Sequence, residues 1–314
     1  MDFTRSAAVV VPLCVYIALG VLANKIHWLD EDTGAKMNSF IFKALFPLLM
    51  FNNMISAGDT LKSGGAMRLP LFLVVCSSVL LVIYLLVVPL FLKDKKQQGA
   101  FIQGVFRGNT VLFALPVVET LTNGAARTLA SICIAVLVPF YNITCVVILQ
   151  MKRGGKVEWK NVLMGIITNP LILGAVAGIL FVLSGLKLPD MLMTPLQTLA
   201  ACVTPMSLVI LGARLKMSGL KKDAGILTAA CIVKLVLTPI IMMTAAVLLG
   251  IKGDAFAVVL AVSSVPPAVS SYTMAEKMGS DGSLAGEIVA VCTVVSMFTV
   301  FAVVSICTGL GLIV

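Results

Sequence analysis

Inside an apolar run long enough to cross a membrane, Phe106-Arg107-Gly108-Asn109-Thr110-Val111-Leu112-Phe113-Ala114-Leu115-Pro116 brings together a cation, an amide and a hydroxyl. A plain spanning helix has no use for them. Arg107 costs free energy in hydrocarbon unless it is paired or faces water. Gly108 weakens the helix, and Pro116 removes a backbone donor and leaves an upstream carbonyl without its partner. A second odd stretch, Ala261-Val262-Ser263-Ser264-Val265-Pro266-Pro267-Ala268, holds two consecutive prolines, which break a regular helix. Paired broken helices at corresponding positions of two halves point to a binding site between them.

An interrupted helix exposes backbone N–H groups whose dipoles favour an anion such as a carboxylate. Asn109 and Thr110 are therefore the first candidates for binding it, the Asn109 amide adding a neutral, directional donor. The alternative is that Asn109 merely satisfies carbonyls released by the break. Ser263, Ser264, Val265 and Pro266 are the mirror candidates, with the same alternative. Arg107 either attracts the anion or forms a structural ion pair, Glu119 being the candidate partner. Lys234 either neutralises a bound anion or extends to the membrane edge, and Lys43 is equally ambiguous. Glu119 and Glu287 are the carboxylates best placed for a coupling proton, although both lie near helix ends where water reaches them. Asn53, with its neighbour Asn52, and Asn142 either line a cavity or bond between helices.

The elements that must position these residues are spanning helices. Hydrophobic residues make up 60% of the 314 and charged residues 12%, about half the share of a soluble domain. The net charge of +9 fits basic loops facing the cytoplasm rather than nucleic acid. All eight cysteines lie in apolar runs with no C-x-x-C, so they read as small buried hydrophobes. With one histidine, His27, no metal site can be assembled, and no nucleophile–base pair or phosphate loop is present. The reading is a non-enzyme without a cofactor.

Apolar runs near 6–24, 36–57, 70–92, 100–122 and 126–150 precede a basic connector, 151–160. Further runs follow near 161–184, 192–213, 225–250, 254–277 and 284–310. The first lacks a convincing cleavage site and reads as a span rather than a signal peptide. The expected fold is an all-α polytopic membrane protein of ten transmembrane helices, with the fourth and ninth broken. An N-terminus outside puts fourteen lysines and arginines in cytoplasmic connectors and six opposite, so both termini face out and 152–160 faces the cytoplasm. Five spans per half make residues 1–150 and 161–314 inverted repeats. Pro47 and Pro205, 158 positions apart, support the correspondence, which sets Asn109 opposite Ser264.

The second half carries Asn169-Pro170-Leu171-Ile172-Leu173-Gly174-Ala175-Val176-Ala177-Gly178, Leu188-Pro189, Pro205 and Leu211-Gly212-Ala213-Arg214-Leu215. Ser264-Val265-Pro266-Pro267-Ala268, Gly279, Asp281, Leu284-Ala285 and Thr293 follow. This pattern, with Arg107-x-Asn109 and Pro116, resembles the auxin efflux carrier family of bacterial permeases and plant auxin exporters. The short middle connector is similar to that of bacterial members. The resemblance implies that spans 1, 2, 6 and 7 form a scaffold and spans 3–5 with 8–10 a mobile domain. The crossing breaks of that domain would hold an organic anion and carry it by an elevator-type shift. It places the protein in a bacterial inner membrane; a non-transporting organic-acid sensor on the same fold is the alternative. The Gly174-x-x-x-Gly178 pair allows close helix packing, within the scaffold or in a homodimer.

Overall fold

The computed structural model describes residues 3–56, 67–152, 160, 163–164, 167–168, 170–213 and 223–313. The connector residues 153–159, Asn169, the basic residues Arg214, Lys216, Lys221 and Lys222, and the side chain of Asn53 lie outside that description. The helices in chain order are α1 (Phe3–Lys25), α2 (Glu31–Phe40), α3 (Phe46–Ser56), α4 (Arg68–Phe91) and α5 (Lys95–Phe106). Next come α6 (Leu115–Leu121), α7 (Arg127–Lys152), α8 (Pro170–Ser184), α9 (Asp190–Ala201) and α10 (Val203–Ala213). The last are α11 (Ala224–Ile232), α12 (Thr238–Leu248), α13 (Gly253–Ser264), α14 (Ser270–Lys277) and α15 (Gly282–Gly309). No strand occurs among the described residues.

Among the described residues, five helical stretches are long and apolar enough to cross a membrane: Arg68–Phe91, Arg127–Lys152, Asp190–Ile210, Ala224–Leu248 and Gly282–Gly309. In α4, Leu69, Leu73, Ser77, Leu80, Tyr84 and Val88 are buried, while Leu71, Val75, Val79, Val82, Leu86 and Leu90 are exposed. Both stripes follow the helical repeat and both are apolar, as expected where the outer face meets lipid instead of water.

Three π-helical turns share one cause. Ile41–Leu45 joins α2 to α3, Thr110–Ala114 leads into α6, and Val233–Leu237 joins α11 to α12. Each ends two residues before a proline: Pro47, Pro116 and Pro239. A proline ring clashes with the carbonyl four residues back and offers it no N–H. The residue before each proline donates five residues back instead: Phe46 to Ile41, Leu115 to Thr110, and Thr238 to Val233. The widened turn absorbs the proline without ending the helix.

Glycine permits the closest helix contacts. A Cβ on Gly20 of α1 would collide with the Val209 carbonyl of α10, and one on Gly212 with the Ile17 carbonyl of α1. A Cβ on Gly174 of α8 would strike the Pro47 carbonyl, and one on Gly178 would come within 2.6 Å of the Met54 Cβ and 2.9 Å of the Phe51 carbonyl, all in α3. The Gly174-x-x-x-Gly178 pair is therefore used inside this chain. Asn52 donates to the Leu196 carbonyl of α9 at 3.1 Å, so its amide binds helices together.

Candidate functional site

Both interruptions expected from sequence are present, and they meet. Helix α5 ends at Phe106; Arg107 is extended, and the chain turns helical again at Thr110. Helix α13 ends at Ser264, Val265 is extended, and α14 begins at Ser270. Gly108 and Pro267 form an isolated antiparallel bridge. The Asn109 N–H donates to the Pro266 carbonyl at 2.8 Å, and the Ala268 N–H donates to the Arg107 carbonyl at 3.1 Å. Each break thereby satisfies backbone groups freed by the other, which hydrocarbon would leave unpaired. The contact register sets Asn109 against Pro266, where the repeat correspondence had set it opposite Ser264.

On one side of the bridge lies a cavity of about 60 Å³. Its walls are Arg107–Leu112, Ala268–Ser270, Asn38 with Phe42 and Phe46, Val138 with Tyr141, and Ser207. Two helix starts, at Thr110 and Ser270, open onto it; at the second, the Ser271 and Tyr272 N–H groups donate to the Ala268 and Val269 carbonyls. Asn109 is buried and its Nδ2 has no hydrogen-bond partner, and neither does the buried Oγ of Ser207. Arg107 is 6% exposed, and one guanidinium nitrogen donates to the Met274 sulfur at 2.8 Å. A Coulomb gain from a carboxylate partner is missing among the described residues.

Arg107 and Glu119 do not pair. Glu119 meets Arg127 at 3.0 Å, with side chains 34% and 59% exposed, in a solvated link between α6 and α7. The sequence spacing brought Arg107 and Glu119 within one helical run, but the break turns their faces apart. Of the second-break candidates, none of Ser263, Ser264, Val265 and Pro266 lines this cavity; Ala268, Val269 and Ser270 do. Ser263 donates to the Leu260 carbonyl at 3.1 Å, repairing its own helix end, and the Ser264 Oγ is buried without a partner. Asn142 is buried with an unpartnered Nδ2 but lines neither cavity described here, its neighbour Tyr141 lining both. Lys43 is exposed on the π turn before α3 and stands apart from the site. Glu287 is buried rather than water-facing, and accepts a bond from Ser283 Oγ at 3.4 Å.

Lys234 is 2% exposed, which rules out its extension to the membrane edge in this state. It lines a smaller cavity behind the bridge. Tyr141, Ser207, Phe42, Phe46 and Ser270 were not singled out by sequence reasoning. The one signal was proximity: Tyr141 adjoins Asn142, and Ser207 follows Pro205 by two positions. Among the described residues no cluster of three or more histidine, cysteine or acidic side chains could hold a metal ion. All eight cysteines are free.

No curated protein matches the chain. A family model described as membrane transport protein matches residues 6–304. That match covers nearly the whole chain and agrees with the apolar spans, so the protein belongs to this membrane transport family, the auxin efflux carrier family, and is an integral membrane protein.

Proposed function

We propose that the protein is a secondary transporter for a small organic anion, a carboxylate, held in the cavity where the two broken helices meet. The observation that carries this reading is the donor set of that cavity. Arg107, Asn109 with its unpartnered Nδ2, and the helix starts at Thr110 and Ser270 all line one space that no carboxylate among the described residues shares. A buried cation without a counter-charge is costly, and an incoming carboxylate offsets that cost. Thr110, Ser270 and Ser207 add hydroxyls, while Ser263, Ser264, Val265 and Pro266 shape the backbone that holds the second helix start. One water needs about 10–15 Å³ of such space, so a cavity of about 60 Å³ suits an acid of a few carbons better than an indole acid.

Transport by an elevator-type shift is part of the proposal. Its support is the packing: glycine-tight contacts join α1 to α10 and α3 to α8, α9 also packs on α3, and α4–α7 with α11–α15 gather around the breaks. Ten spans in two inverted repeats are supported by the same contacts. Gly20 against Val209 becomes Gly178 against Phe51 when each position is moved by 158 and the halves are exchanged. The charge asymmetry supports placing both termini outside, and the short connector supports a bacterial inner membrane.

The test is flux. Purified protein in proteoliposomes should take up labelled lactate or succinate saturably, and Asn109→Ala should weaken that uptake while leaving yield and monodispersity unchanged. Specific binding of these acids with no uptake would favour a sensor instead.

A further inference from the structure

Lys234 sits in the π turn between α11 and α12 and lines a cavity of about 10 Å³ with Ser77, Tyr84, Tyr141, Thr238 and Val262. This space is separate from the larger cavity and lies directly behind the break, because a Cβ on Gly108 would stand 3.2 Å from the lysine Nζ. Among the described residues the ammonium has no hydrogen bond and no ion pair. The π turn that holds it is closed by Thr238, whose Oγ1 donates to the Val233 carbonyl at 2.8 Å and accepts from Tyr84 at 2.7 Å.

The titratable groups near Lys234 are few: Cys292 of α15, and the phenols of Tyr84 and Tyr141 that line the same cavity; Cys231 of α11 lies behind Cys292, sulfur to sulfur at 3.5 Å. Helix α13 presents Val262, and Arg107 of the preceding break lines the other cavity. A lone ammonium in that setting is relieved in two ways: by an anion across the Gly108 backbone, or by loss of its proton.

We propose that Lys234 is the proton-carrying site of this transporter, taking up a proton as the organic anion fills the larger cavity and releasing it as the cavity empties. This rests on the reading of that cavity as the substrate site. The Nζ lone pair takes a proton from water as the anion enters, forming one N–H bond, and returns it to water on the far side when the anion leaves. The anion and the proton cross together, and the empty carrier returns without charge on Lys234. Tyr141 supplies the path, since it lines both cavities and its hydroxyl lies 3.2 Å from that of Ser77 beside the lysine.

Calorimetric titration of lactate and succinate in phosphate and in Tris, buffers of unlike ionisation enthalpy, counts the protons taken up on binding. Wild type should take up protons on binding, approaching one per anion in alkaline buffer, where its affinity should rise up to about tenfold for each pH unit lowered. Lys234→Arg keeps the cation but cannot release a proton, so it should bind both acids with no proton uptake and a flat pH profile. Lys234→Met should bind more weakly, also without proton uptake. An inward proton gradient should accelerate uptake into wild-type proteoliposomes and leave Lys234→Arg unaffected. If wild type binds these acids without taking up a proton, or Lys234→Arg still responds to the gradient, the proposal is overturned and the substrate site stands. If neither acid binds wild type at all, the substrate reading falls and this proposal with it.

Discussion

Asn109 and Arg107 stand two positions apart but serve the cavity differently. Asn109 offers a directed N–H that nothing else accepts, whereas Arg107 supplies charge and is tethered through Met274. Removing the Asn109 amide should cost one hydrogen bond to a charged group, about 1.5–3 kcal/mol. That is roughly a ten- to hundredfold loss of lactate or succinate affinity at 1.4 kcal/mol per decade, measurable by calorimetry. Asn109→Asp should bind more weakly still, because two negative charges would then face each other. Since Glu119 already has Arg127, Glu119→Gln should change stability by about 0–1 kcal/mol, as exposed pairs do. A double-mutant cycle of Arg107→Ala with Glu119→Gln should show no coupling; recovery of folding in the double variant would restore the pair that the geometry denies. The first break was legible residue by residue, since Arg107, Asn109 and Thr110 are out of place in hydrocarbon. At the second, the prolines marked the right element but the wrong wall. The stretch that stops a helix lies ahead of the helix start that faces the cavity, so Ala268–Ser270 took the place expected of Ser263–Pro266. Aromatic and hydroxyl side chains such as Phe42, Tyr141 and Ser207 are ordinary in a span, and only the fold gathers them.

At the level of elements, two local devices govern the helices. The π turns depend on their prolines, so Pro239→Ala should let Thr238 donate four residues back and close the turn. Residues before it would rotate by up to about 100°, the angle between neighbours on a helix, and Lys234 would leave its cavity. The expected outcome is retained helicity by circular dichroism with lost uptake. The glycine contacts depend on the absent Cβ. Gly20→Ala and Gly178→Ala should each destabilise by about 1–3 kcal/mol, seen as lower melting temperatures in detergent. Gly225→Ala, which meets open space on α11, should be neutral or slightly stabilising. The five long apolar helices coincide with apolar runs marked in the sequence. The π turns were not, because Pro12, Pro89, Pro139 and Pro195 sit within helices without one.

For the whole molecule, the contacts between the glycine-tight helices and those around the breaks are where an elevator shift would slide. Cys14 of α1 donates to the Met297 sulfur of α15 at 3.0 Å across such a contact. With Met297→Cys, a bifunctional thiol reagent bridging to Cys14 should abolish uptake while ligand binding persists. Uptake that survives complete cross-linking would rule out sliding at this contact. Single cysteines at Gly155 and at the C-terminus, in a background lacking the native eight, should label from opposite sides of the membrane. The inverted arrangement proposed above rests in sequence on Pro47 and Pro205, but a spacing says nothing of contact. The packing of Gly20 on Val209 and of Gly178 on Phe51 is the structural support for that proposal.

The bridge between Gly108 and Pro267 is made wholly of main chain. Side-chain replacement at Asn109 or Ala268 leaves both of its N–H groups in place, so alanine scanning would pass silently over the link between the two halves. A single-atom edit would not. Replacing the Asn109 or Ala268 amide by an ester, through an α-hydroxy acid at that position, deletes one donor and weakens the acceptor behind it. Such a change would separate the role of the junction from that of every side chain around it.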